Sequence, residues 1–311
     1  MTSPKIMLIL SENWTLTARQ NLRSLVDWVV IAEECGIDGV MLSEHISLGP
    51  GAGARGREPN ERAYAAPGNQ DPATPWPSSL LLLSAIAART TKIRLFAGAI
   101  IAPLRQPVHL AKQLATLDCL AEGRLIVQPT VSWHQDEYGH LGVSFPNRGK
   151  LLDEHLAAWG VLWRDTPASF EGEFYRFNDV YLEPKPYRPG GPVLWFGGQS
   201  LHPALLRRLV RYGQGFHPFG PPTADDLAQL TAAMQAAGRD INELELIGGI
   251  RAAFPDAHSP ANLEQALASI PPQLAQGYTT FCVKPNQFID HAAELRSFCE
   301  RLVHAFAKFD S

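Results

Sequence analysis

Residues 93–131 read IRLFAGAIIAPLRQPVHLAKQLATLDCLAEGRLIVQPTV, and the fold turns on how they are parsed. Ile93–Ile100 is an apolar run of strand length. Val108–Ala121 has the length and spacing of a helix, and Gly123 stands where such a helix stops. Leu125–Val131 is a second apolar run. A helix between two strands is the crossover that parallel strands need. Strands buried on both faces read as near-continuous apolar runs, as these two do.

The same rhythm extends in both directions. Upstream, Lys5–Leu10 reads as a strand, Thr17–Cys35 as a helix stopped by Gly36, and Gly39–Ser43 as a strand. A Gly/Pro-rich excursion, Ile46–Pro77, and an apolar helix through Arg89 lead back to Ile93. Downstream come a helix at Arg148–Trp163, strand signals at Val193–Phe196, Gln214–His217, Leu244–Ile250 and Thr279–Val283, and helices from Pro203, at Ala224–Ala237, at Asn262–Gln276 and from Asp290. Ser169–Lys185 breaks the rhythm with aromatic alternation around Glu171–Gly172–Glu173, the pattern of a surface hairpin.

Eight strand signals in an uninterrupted β/α series predict a closed (β/α)8 barrel of the TIM type rather than an open doubly wound sheet. The dinucleotide fingerprint G-x-G-x-x-G is absent after the first strand, where Ser11–Glu12–Asn13–Trp14 stands. At 311 residues the chain could hold two ordinary domains, but it also suits one barrel of about 250 residues carrying insertions. The expected organisation is one barrel domain over 1–311, with a lid-like insertion at 46–77 and a hairpin insertion at 169–185.

Composition narrows the functions. A net charge of −4 with no Lys/Arg run argues against nucleic-acid binding, which needs clustered positive charge. The four cysteines stand far apart without a C-x-x-C pair, which fits neither a zinc ribbon nor a disulfide scaffold and suits a reducing compartment. No apolar stretch reaches the roughly 20 residues of a membrane span, and the N-terminus lacks a secretion signal. A cytoplasmic protein without nucleic-acid or membrane partners is expected.

In such a barrel the chemistry sits at the C-terminal strand ends. Those ends read Ser43–Glu44–His45, Gly98–Ala99, Ser132–Trp133–His134, Gly197–Gly198–Gln199–Ser200 and Phe216–His217. Converging histidines and a tryptophan suit a flat, polar-edged ligand, and a histidine can move protons near neutral pH. Gly197–Gly198 ahead of a helix is a weak anion-cradle signal. His134, Glu137 and His140 share a helical face, yet the zinc pattern H-E-x-x-H is missing and no metal is expected. There is no G-x-S-x-G elbow for a serine hydrolase.

The stretch 93–125 resembles the bacterial luciferase-like flavin and deazaflavin oxidoreductases, with Ala111–Lys112–Gln113, Thr116–Leu117–Asp118 and Gly123–Arg124–Leu125 matching their signature. AEECGIDGVMLSEH, SWHQDEYGHLGV, SFEGEFYRFNDVYLEPKP and LWFGGQS…GQGFHP match in order, so the resemblance covers nearly the whole chain. It implies a (β/α)8 barrel with FMN or the deazaflavin F420 in its mouth. It implies that His45 assists proton transfer, and the converging strand ends place Trp133 and His134 as walls of the substrate side. It implies cofactor contacts from Gly98 and Ala99 at a non-proline cis peptide, from Gly197, Gly198, Gln199 and Ser200 at the phosphate, and from Ser132 and His217.

Two departures stand out. Position 49 is Gly where deazaflavin dehydrogenases of the family carry Trp, and their acid after the fourth strand is missing from Thr130–Val131–Ser132–Trp133. The expected activity is an oxidoreductase acting on a small organic substrate, with F420-dependent hydride transfer ahead of an FMN monooxygenase served by a flavin reductase. A cofactor-binding barrel without catalysis stands third. A homodimer is expected through the Leu80–Arg89 helix, whose apolar residues run nearly all round.

Overall fold

The computed structural model describes residues 3–64, 66–220 and 222–309; Ala65 of the expected insertion and the ends of the 1–311 span lie outside them. Eight parallel strands close a barrel: β1 (Lys5–Ile9), β2 (Gly39–Leu42), β3 (Arg94–Ile101), β4 (Leu125–Thr130), β7 (Val193–Phe196), β8 (Gly215–Phe216), β9 (Glu245–Gly249) and β10 (Thr280–Val283). β5 (Ala168–Glu171) and β6 (Arg176–Val180) pair antiparallel as the hairpin outside it.

Period-two alternation sorts the side chains. Met7, Ile9, Met41, Phe96, Ile126, Trp195, Ile247 and Cys282 form one cluster, the barrel interior. Their neighbours Ile6, Leu8, Val40, Leu95, Val127, Phe196, Phe281 and Val283 belong to the second, larger cluster under the helices. The strands therefore read as unbroken apolar runs because both sides are buried.

The helices are α1 (Leu22–Cys35), α2 (Ser79–Ala87), α3 (Pro107–Leu120), α4 (Gln135–His140), α5 (Arg148–Arg164), α6 (Pro203–Tyr212), α7 (Ala224–Ala236), α8 (Leu263–Leu267), α9 (Ile270–Ala275) and α10 (Leu295–Phe306). α1 ends at Gly36, whose φ of 92° closes the helix in the left-handed region. It starts later than expected from Thr17, because Thr17 pairs with the Ser24 hydroxyl, which itself donates to the Asn21 carbonyl. The helix expected over Asn262–Gln276 is two helices. Pro271 and Pro272 lack the N–H that a continuing helix would need.

α2 is more one-sided than its sequence suggests. Leu80, Leu82, Leu83, Ile86 and Ala87 are buried, and Leu81 alone among its leucines is exposed, at 73%. Among the described residues no helix is long and apolar enough to cross a membrane.

Candidate active site at the barrel mouth

Carrying the alternation past the packed layer gives the next inward positions: Ser11 beyond β1, Ser43 and after it His45 beyond β2, Gly98 on β3, Gln128 on β4, Gly197 beyond β7, His217 beyond β8, Gly249 on β9 and Lys284 beyond β10. Bulky apolar side chains fill the layer below; here three positions are glycine and the rest are polar. A Cβ on Gly98 would stand 2.5 Å from Phe96 Cζ, and one on Gly197 would strike the His217 carbonyl oxygen. A Cβ on Gly249 meets only the Cys282 carbonyl, at 3.6 Å, so open space lies in front of it. The Gly98–Ala99 peptide is cis, and the β3–β4 register shifts between Gly98 and Ile100. Gly98 and Gly197 thus press against the chain itself, and the room for a flat ring is what Gly249 leaves open.

One wall is a histidine–carboxylate pair. His45 Nδ1 lies 3.1 Å from Oε2 of Glu137, a fully buried residue on α4. The other carboxylate oxygen accepts the Ile46 amide at 2.7 Å, and the Ser132 hydroxyl donates to Oε2 at 3.2 Å. Burial alone would raise the Glu137 pKa, but the His45 hydrogen bond and charge and the Ile46 and Ser47 amides together hold it below its ordinary value. An ionised Glu137 takes the proton on Nδ1 as a donor, which turns the Nε2 lone pair outward. Trp76 and Trp133 stand edge-on to the imidazole, with centroids at 5.0 and 5.9 Å.

Glu44, next to His45, points away from this chemistry. It holds Arg105 through two hydrogen bonds of 2.7 and 2.8 Å and accepts the Ser79 hydroxyl and the Ile101 amide. The pair ties the ends of β2 and β3 to α2.

His134 is tied to the neighbouring loop. It is 2% exposed, and its Nε2 accepts the Gly49 amide at 2.8 Å. Burial lowers its pKa, which suits an imidazole kept neutral as an acceptor. Its nitrogen is committed to the backbone of the 46–77 excursion, while its ring stays 4.9 Å from that of Trp133 and 6.4 Å from that of His45. Asp136 accepts the Gly51 amide, and Ser47 pairs with His140. Farther along, Asn60 donates to the Asp256 and Ser259 carbonyls, and Arg62 to those of Asn286 and Ile289 and to the Asp290 carboxylate. The excursion thus spans the strand C-termini, fastened at α4 and beyond β9 and β10.

His217 Nδ1 donates to Gln128 Oε1 at 3.0 Å, and burial lowers its pKa to about 4. It is a neutral mouth residue. Gln199 and Ser200 are exposed, and the first turn of α6 is capped from within the chain, His202 accepting the Leu205 amide. Ser132 sits at a φ of 57°, directing its hydroxyl onto Glu137.

Reading strand ends missed Glu137, Trp76, Gln128 and Lys284. Glu137 shares its helical face with His134 and His140, and that spacing was weighed only against metal binding. Gln128 and Lys284 carried a signal: each is a polar residue in the inward phase of an otherwise apolar strand. Trp76 had none, because it comes from an irregular loop.

Barrel, cis peptide and histidine-bearing mouth define a class, and comparison with known proteins agrees. The luciferase-like monooxygenase family model matches residues 5–295, and the chain belongs to that family. An FMNH2-dependent dimethylsulfone monooxygenase of Pseudomonas putida is 34% identical over 39% of this chain and 34% of its own length. An F420-dependent glucose-6-phosphate dehydrogenase of Kineococcus radiotolerans is 27% identical over 75% of the chain and 64% of its own. The matched segments thus span about a third to two thirds of these curated relatives. An F420-dependent secondary alcohol dehydrogenase solved with an F420–acetone adduct superposes with a TM-score of 0.72 at 14% identity, covering 98% of this chain and 99% of the other. That likeness is one of fold.

Proposed function

We propose that the protein is an oxidoreductase that binds F420 or FMN in the barrel mouth, with F420-dependent hydride transfer to or from a small organic molecule as the favoured reading. The observation that carries it is the His45–Glu137 pair at the rim of a glycine floor. Gly98, Ala99, Gly197 and Gly198 would back the ring, and Gln199 and Ser200 would meet its phosphate. Ser132 and His217 complete the mouth. When bound, the cofactor supplies the hydride or oxygen chemistry.

The protein's own contribution is proton handling and exclusion of water. A carbon that gives up hydride while bearing a hydroxyl leaves a proton on its oxygen. His45 Nε2 is the base for it, and the Glu137 carboxylate stabilises the resulting imidazolium. Trp76 and Trp133 enclose the reacting edge, and the fastened 46–77 segment serves as the lid. Oxygen insertion has less need of such a base, which is why hydride transfer is favoured. The F420-dependent relative also matches more of the chain than the FMNH2-dependent one.

The FMN reading, with a separate reductase supplying reduced flavin, rests on the 34% identity to the dimethylsulfone enzyme. Titration with FMN and with F420, followed by anaerobic and aerobic turnover on a panel of alcohols and sulfones, separates the two. Tight binding without turnover would instead favour a carrier. We also propose a cytoplasmic homodimer joined through α2, where Leu81 stands out from the surface.

A further inference from the structure

Lys284 is fully buried, follows the last residue of β10 and shares the inward phase of Cys282, so its stem runs up the inside of the barrel into the mouth. Among the described residues no acceptor comes closer to it than 3.5 Å. The Ala63 carbonyl lies at 3.5 Å, the Glu12 carboxylate at 3.9 Å, and the Tyr64 ring centroid at 5.5 Å. A fully buried ammonium ordinarily pairs closely, because leaving its donors unmet is costly. Burial also lowers the Lys284 pKa, with Glu12 opposing that shift.

The two groups are held rather than adrift. The Asn286 side-chain amide donates to the Glu12 carbonyl, and its backbone amide donates to the Asn13 side chain, pinning the loops after β1 and β10 together. Glu12 itself sits at a φ of 60°, in the left-handed region.

We infer that Lys284 and Glu12 form a donor–acceptor pair that reads an amide or imide edge, the ammonium taking a carbonyl oxygen and the carboxylate the adjacent N–H. The pair is net neutral, which suits a neutral carbonyl edge better than a phosphate. The inference rests on the reading of the mouth as the ligand site. The edge can come from two sources: the pyrimidinedione ring that FMN and F420 share, or a substrate of uracil type.

The experiment uses wild type, Lys284→Met and Glu12→Gln. Each is titrated with FMN and with F420; the cofactor-loaded proteins are then titrated with uracil and 1,3-dimethyluracil, and each is melted without ligand. If the cofactor supplies the edge, both variants weaken its binding by about 10- to 100-fold. If the substrate does, cofactor affinity holds, and wild type prefers uracil over its dimethyl form while the variants lose the preference. Either way Lys284→Met raises the melting midpoint of the free protein by about 2–4 °C, because an underpaired buried charge is removed. A lower midpoint with every affinity unchanged overturns the inference and makes the pair a structural ion pair. Failure of the wild type to bind either cofactor would sink the functional reading instead.

Discussion

The two ends of the barrel are built to opposite rules. At the N-terminal end Arg94 grips Glu245 through bonds of 2.9 and 3.0 Å, the Thr280 hydroxyl donates to the same carboxylate, and Lys5 stands 3.7 Å away. Burial would raise the Glu245 pKa, but Arg94, Thr280 and Lys5 together hold it below the ordinary value. Trp195 packs at 4.6 Å from Phe96 just above. At the C-terminal end glycines replace the bulky residues, and among the described residues no acceptor comes closer to Lys284 than 3.5 Å. One end closes the cylinder; the other keeps space and donors for a ligand. Close packing and open polar positions are thereby divided along a single set of strands.

That division can be broken experimentally. His45→Ala should lower kcat by roughly 10²–10⁴-fold, because it removes a proton acceptor, and should also lower the melting midpoint, because it leaves the buried Glu137 carboxylate without that partner. Steady-state turnover beside a thermal melt checks it, and an unchanged kcat would leave His45 only a packing role.

His217 gives an effect on stability instead. The folded protein keeps this imidazole neutral down to about pH 4, whereas the unfolded chain takes the proton near 6.5. Protons therefore favour unfolding across that window. Stability should fall by on the order of 3 kcal/mol from pH 6.5 to 4 and level off below, other groups adding their own slopes. Denaturant unfolding at pH 6.5 and 4.5 reads it, and His217→Gln should flatten that component.

At the closed end, Glu245→Gln should cost about 2 kcal/mol of stability and leave cofactor affinity intact, since it loosens a partly buried pair far from the mouth. A variant that unfolds no more easily but loses affinity would reverse the comparison. The smallest effect is at α2. Leu81→Lys should change the melt little, by under about 0.5 kcal/mol, yet convert a dimer to a monomer in light scattering. A wild type that is monomeric at every concentration removes the dimer.

The same contrast explains what could be read from the chain. The packed half is legible because burial on both faces writes apolar runs at regular spacing, so all eight barrel strands were anticipated to within a residue or two. The breaks at Thr17 and Ser269 were not, since local hydroxyl bonds and a Pro271–Pro272 pair outweigh a helical pattern. At the mouth, residues fixed by strand phase, such as His45 and His217, could be placed. Partners brought in by loops could not. Glu137 reaches His45 across 92 positions and Tyr64 lies beside Lys284 across 220, separations that no local pattern records. The bond of His134 to Gly49 is of the same kind, since its partner belongs to the excursion.

The central claim is that the glycine floor is the cofactor site, and Gly249→Phe tests it most directly. A Cβ there meets only ordinary contact, so the variant should fold, while its ring fills the space in front of β9. Side-by-side equilibrium titrations with FMN and F420 should show wild type saturating with at least one of them. The equally stable variant should bind it more than about 100-fold more weakly, a loss of some 3 kcal/mol. Equal affinity in both proteins would contradict the account.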